Sequence, residues 1–180
     1  MSRIGRLPIT LPANVTVAVD GDVVTVTGPK GTLTQQIDNR IELSVENNIV
    51  SLTRANDSNE MKAKHGLYRM LVANMVTGVN EGFKKSVVIN GVGYKATKNG
   101  NKVVLNIGLS HTVEVVETED VKLDCPSATE IVVSGISKEK VGQFAAMLRD
   151  IKPVEPYHAY GIKYGDEVVI KKVGKVSGKK

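Results

Sequence analysis

Apolar and polar residues alternate with a period of two along eight short runs rich in β-branched side chains. They fall at residues 15–19, 23–27, 41–45 and 49–54, then at 86–90, 102–107, 112–116 and 131–134. That period puts one face of each run toward a core and predicts half-buried strands. Two stretches switch to helical spacing. Met61, His65, Tyr68, Leu71, Val72, Met75, Val76 and Val79 recur at intervals that line one face of a helix, and so do Val141, Phe144, Ala145, Leu148 and Ile151. Asp57-Ser58-Asn59-Glu60 reads as a capping box, with Asp57 accepting N–H bonds at the helix start and Glu60 reaching back, while Gly78 and Gly82 offer stopping points. For the second helix Ser137 is the expected N-cap, and Pro153 forbids continuation.

The pattern occurs twice. Asp20-Gly21-Asp22-Val23-Val24-Thr25-Val26 matches Asn99-Gly100-Asn101-Lys102-Val103-Val104-Leu105 in turn, strand and order, at an offset of 79 residues. Asp20-Gly21 and Asn99-Gly100 are hairpin signals, because these residue types tolerate positive φ. Ile49-Val50-Ser51-Leu52 leads into the first helix as Glu130-Ile131-Val132-Val133 leads into the second. The expected fold class is α+β: two duplicated small domains, at residues 1–82 and 83–180, each a largely antiparallel sheet packed with one main helix.

Charge separates the two copies. Residues 1–82 contain eight basic and eight acidic groups and are neutral, whereas residues 83–180 contain sixteen and eleven and carry the whole formal +5. The last eighteen residues hold six lysines against Asp166 and Glu167, a net +4. Charge that concentrated points to a polyanion. No apolar run approaches the ~18–20 residues that span a bilayer, no apolar stretch follows Arg3 and Arg6 as in a secretory signal, and a single cysteine, Cys125, forms no internal disulfide. These features predict a cytoplasmic protein without a membrane partner, with Cys125 serving as a small apolar strand residue.

Catalytic and cofactor motifs fail on context. Gly91-Val92-Gly93-Tyr94-Lys95-Ala96 fits the spacing of a dinucleotide-binding turn, but the Asn99-Gly100 hairpin leaves no room for the helix that must follow. Gly28-Pro29-Lys30-Gly31 sits between strands and reads as a turn. His65, His111 and His158 lack metal-site spacing, and Glu119-Asp120 and Asp166-Glu167 read as solvated turn residues. The expectation is a protein that is not an enzyme, with no cofactor, metal or small-molecule substrate. The positive candidate is the stretch 153–164, where Pro153, Pro156 and Gly161 stiffen a loop and three tyrosines alternate with His158 and Lys163, a mixture of stacking faces and cations suited to RNA. Candidate contacts are Tyr157, His158, Tyr160, Lys163, Tyr164, Lys171, Lys172, Lys175, Lys179 and Lys180, with Tyr94 and Lys95 from the glycine-rich turn. The lysines suit phosphates more than base edges. The alternative is a tandem β-rich module that binds protein through its sheet edges and has no RNA partner.

Several segments carry a resemblance. Residues 1–5, Thr27-Gly28-Pro29-Lys30-Gly31, His65-Gly66-Leu67, the Val76-Thr77-Gly78-Val79 to Gly82-Phe83 segment, Gly91-Val92-Gly93-Tyr94, and Val133-Ser134-Gly135-Ile136 followed by Val141-Gly142-Gln143 together resemble the bacterial large-ribosomal-subunit protein six, or L-six, family from end to end. Pro153, Pro156, Tyr157 and Gly161 fit that family's Pro-x-x-Pro-Tyr-Lys-Gly-Lys-Gly loop. His158 and Tyr160 stand where the family usually has lysines, and Ala159 where it has glycine. The resemblance implies a structural protein of the large subunit, its C-terminal domain bound to 23S ribosomal RNA near the factor-binding region and the sarcin–ricin loop. Its partners would be that RNA, neighbouring large-subunit proteins, and translational GTPases docking nearby.

Overall fold

The computed structural model describes residues 4–175 and divides into two compact units, Met1–Phe83 with Ile136–Lys138, and Lys84–Gly135 with Glu139–Lys180. The first unit contains β1 (Ile9–Thr10), β2 (Thr16–Asp20), β3 (Val23–Gly28), β4 (Gly31–Gln36), β5 (Ile41–Glu46), β6 (Ile49–Arg54) and helix α1 (Asn59–Asn80). β3 lies between β2 and β4, and β6 lies between β1 and β5, with every one of these pairs antiparallel. The α+β class expected from the pattern is the class observed.

Chain reversals fix the registers. Asp20 pairs with Val23, so the turn residues are Gly21 and Asp22, one position later than the sequence signal suggests, and Gly21 alone takes the positive φ, +58°. Asn47 and Asn48 both adopt positive φ between Glu46 and Ile49, the geometry that matches strand twist in a two-residue hairpin. Gly28-Pro29-Lys30-Gly31 is a turn, as expected. It also anchors α1, since the Lys30 backbone N–H donates to the Val79 carbonyl at 3.0 Å and its ammonium to that of Glu81.

The first core follows from the alternation. Val24 and Val26 on β3 and Val50 and Leu52 on β6 point inward and are buried, with Met61, Val72, Met75, Val76 and Val79 of α1 closing over them. Each such side chain contributes roughly 1.5–3 kcal/mol on leaving water. His65 falls on the same stripe and is buried yet satisfied: its Nε2 donates to the Leu52 carbonyl at 2.9 Å, which leaves Nδ1 to accept from Arg54 at 3.0 Å. Asp38, before β5, binds Arg40 and Lys64 of α1, and those hydrogen bonds, Arg40's first, hold its carboxyl far below the usual range.

The chain then repeats the design as β7 (Phe83–Asn90), β8 (Lys95–Asn99), β9 (Lys102–Asn106), β10 (Val113–Val116), β11 (Val121–Ser127), β12 (Glu130–Gly135), α2 (Lys138–Ile151) and β13 (Gly161–Tyr164), all in the second unit but for the first residues of β7 and α2. The 79-residue offset holds for β2 against β8, for the buried pair Val24 and Val26 against Val103 and Leu105, and for the first residues of the two helices. β9 lies between β8 and β10, and a second sheet runs β11, β12, β7, β13. Buried in the second unit are Val87, Ile89, Leu123, Ile131 and Val133, with Ala145 and Leu148 of α2 and Ile162 of β13. Cys125 is half-buried in β11, and burial pushes its thiol up, so it stays protonated as an inert strand residue.

The start of α1 differs from expectation, and its end selects one of the two expected stops. Ser58, not Asp57, is the N-cap of α1, accepting from the Met61 N–H at 3.3 Å, because Asp57 is drawn away to Arg54 at 2.6 Å. Gly78 is buried inside the helix, and the stop falls at Gly82, whose φ is +76°. Ser58→Ala is therefore expected to cost about 1 kcal/mol in urea unfolding, while Asp57→Ala leaves the midpoint close to that of the unaltered chain. The reverse order would restore Asp57 as the cap.

Candidate nucleic-acid interface

α2 ends at Ile151, and residues 153–160 return the chain to the edge of the four-stranded sheet. There β13 pairs antiparallel with β7, Gly161 opposite Asn90 and Tyr164 opposite Val87. The return is tight. The Ile162 N–H donates to the Lys152 carbonyl at 2.8 Å, and a Cβ on Gly161 would lie 2.7 Å from the Pro153 carbonyl oxygen and 2.8 Å from that of Lys152. Gly161 also sits at φ +140°, so only glycine fits. Ala159 takes a left-handed φ of +62°, which costs a non-glycine residue roughly 1–2 kcal/mol. Burial of its methyl group and a 2.6 Å hydrogen bond from the Asn90 side chain to its carbonyl hold it there.

This closure brings three predicted residues together. Tyr94 leaves the β7–β8 turn and packs where Gly91 and Gly108 carry no side chain: a Cβ on Gly91 would overlap its ring, and one on Gly108 would stand 2.8 Å from it. The first glycine of the rejected dinucleotide motif, Gly91, thus makes room for a tyrosine. Lys152 donates to the Tyr94 hydroxyl and to the Ile107 carbonyl, both at 2.7 Å. The Tyr160 ring lies 6.5 Å from that of Tyr94, tilted by 59°, and the His158 ring stacks on Tyr160 at 5.3 Å and 21°. Tyr157, on the same loop, is 52% exposed.

Glu155 sets the position of His158. One carboxylate oxygen accepts from the His158 backbone N–H at 2.8 Å and from its ring Nδ1 at 3.0 Å, while the Glu155 N–H closes the loop on the Tyr160 carbonyl at 3.0 Å. Desolvation raises this carboxyl, but the hydrogen bonds from His158 outweigh it and hold the group below the usual glutamate range.

The remaining candidates are placed differently. Tyr164 already has cations of its own chain over its ring, with Lys85 Nζ 3.8 Å and Arg149 Cζ 5.1 Å from the centroid, so it is engaged within the fold. Lys163 is half-buried, and its ammonium donates to the Glu167 carbonyl at 3.1 Å. Glu167 pairs with Arg149 at 2.8 Å, which makes it a structural acid. Lys95 is exposed at the start of β8, and Lys171, Lys172 and Lys175 are exposed on the segment after β13. The Lys172 N–H donates to the Pro156 carbonyl at 2.8 Å, which ties that lysine-bearing segment to the aromatic loop. Lys179 and Lys180 lie outside the described residues.

Asn90, Lys152, Lys85 and Arg149 belong to the arrangement but were not among the sequence candidates. Each acts through a contact distant in sequence: Lys152 reaches Tyr94 and Asn90 reaches Ala159. Only the lysine's place at the helix end, just before Pro153, marks it locally.

The ribosomal protein L6 family model matches residues 11–82 and 90–165. Large ribosomal subunit protein uL6 of Exiguobacterium sibiricum is 49% identical over 175 residues, covering 97% of this chain and 98% of the relative. The protein of that name from Desulfitobacterium hafniense is 49% identical over 180 residues (100% and 98% coverage), and that from Lachnoclostridium phytofermentans 51% over 181 residues (100% of both).

The Glu155 contact has a definite pH signature. Its folded value lies below its unfolded one, so the contribution to loop order is complete above the usual carboxylate range and is lost as pH falls through the folded value. The His158 amide resonance should titrate with a midpoint below that of an ordinary glutamate, and Glu155→Gln should remove the step. A midpoint at or above the ordinary range would contradict the geometry.

Proposed function

The chain belongs to the ribosomal protein L6 family, a structural and non-enzymatic constituent of the large ribosomal subunit, and we propose that it joins the subunit by binding folded 23S ribosomal RNA through its second unit. The observation that carries this reading is the coincidence of charge and anchoring. The whole formal +5 falls in residues 83–180, and the segment bearing Lys171, Lys172 and Lys175 is hydrogen-bonded to the loop that exposes Tyr157, His158 and Tyr160.

Exposed lysines neutralise phosphates and release counterions, a sequence-independent source of affinity. RNA shape and the fixed loop then supply placement. Residues 1–82, which are neutral, would act as a packing and spacing element toward neighbouring large-subunit proteins, on the cytoplasmic ribosome. The family resemblance adds a location near the sarcin–ricin loop and the factor-binding region, where translational GTPases dock.

Affinity for 23S ribosomal RNA, measured across a potassium chloride series, should fall steeply and linearly on a log–log scale. Removing residues 171–180 should flatten the slope by roughly 0.7–0.9 for each phosphate that those residues neutralise. Salt-independent binding, or a slope unchanged by the truncation, would contradict the proposal.

A further inference from the structure

The His158–Tyr160 pair differs in kind from the lysines around it. Its rings are near parallel at 5.3 Å, the Tyr94 ring lies 6.5 Å from that of Tyr160, and the His158 side chain is 70% exposed. The stack is therefore built from the inside outward: Tyr94 seated by Gly91, Gly108 and Lys152, then Tyr160, then His158 with a ring open to solvent. The backbone supports it. A left-handed residue at 159, held by Asn90, turns the chain so that residues 158 and 160 face each other.

The local charge argues against phosphate as the ligand. Glu155 binds the imidazole from the side, and the bonds that lower its pKa keep it ionised, so any positive charge on His158 meets a carboxylate at 3.0 Å. A phosphate brought to this ring would face that carboxylate, whereas an uncharged aromatic ring would not. We propose that His158 and Tyr160, backed by Tyr94, form a stacking platform that takes one unpaired RNA base on the outer face of His158. Paired A-form bases hide their faces, so the ligand is a nucleotide splayed out of a loop or bulge. Its flanking phosphates fall to the neighbouring lysines, because the Lys172 N–H is fixed to the Pro156 carbonyl of the same loop.

This inference rests on the RNA-binding reading above but fails separately from it. The test is filter binding of the full chain to 23S ribosomal RNA over a potassium chloride series, with His158→Ala, Tyr160→Ala, His158→Phe and Tyr160→Phe. Each alanine variant should weaken binding by roughly 5- to 150-fold, the span of a single base stack, with the salt slope unchanged. Both phenylalanine variants keep a ring and should retain affinity, which also shows that the loop tolerates substitution. Unaltered affinity in both alanine variants, with a steep salt slope, would overturn the platform and leave RNA binding standing. A slope flattened by His158→Ala, or a loss that His158→Phe fails to restore, would assign His158 a charge or hydrogen-bonding role and equally overturn the platform. If the unaltered chain shows no salt-dependent binding, both readings fall.

Discussion

The pairing of β13 with β7 is the constraint on which the candidate interface depends. β13 is only four residues long and sits at the edge of its sheet, yet it fixes the return of the chain after α2. Because Gly161 stands opposite Asn90, the loop between helix and strand is pressed against the β7–β8 turn. That closeness allows the Asn90 side chain to reach Ala159, Lys152 to reach Tyr94, and the rings of Tyr94, Tyr160 and His158 to meet. Without the missing Cβ at 161 the strand would not close, and the aromatic group would have no common frame.

Two kinds of exposed group then lie together in the second unit. Lysines 171, 172 and 175 are exposed point charges with long flexible stems, suited to backbone phosphates wherever they fall. The aromatic loop is the opposite, a rigid group whose orientation is set by glycines, a buried alanine and a carboxylate. Tyr164, although chosen from the same stretch, belongs to neither class. Lys85 and Arg149 lie over its ring, so it contributes to packing between β7, α2 and β13.

The duplication was legible because its signals are local. A glycine that needs positive φ after Asp20 or Asn99 and the alternation that buries Val24, Val26, Val103 and Leu105 are each visible within a few residues. Less legible were the strands whose pattern is weak: β4 reads Gly-Thr-Leu-Thr-Gln-Gln, β8 reads Lys-Ala-Thr-Lys-Asn, and β13 is too short to show a period. All three lie at sheet edges, where one side of the ladder needs no partner and the apolar demand is lower. The α1 cap differs from expectation for another reason. Asp57 and Ser58 are both good caps, and the choice between them is made by Arg54, which claims the carboxylate. At the candidate interface the residue types could be read from the sequence and their geometry could not, since Tyr94 and Tyr160 are separated by 66 positions.

The proposed contact of the second unit with ribosomal RNA, through the loop and the segment bonded to it, is open to direct mapping. Ultraviolet crosslinking of assembled large subunits containing this chain, followed by identification of the RNA-bearing peptides, reads those contacts without altering the protein. Crosslinks to 23S ribosomal RNA are expected within residues 153–175 and at Tyr94. Crosslinks confined to residues 4–82, or none from a chain shown to be present in the subunit, would contradict it.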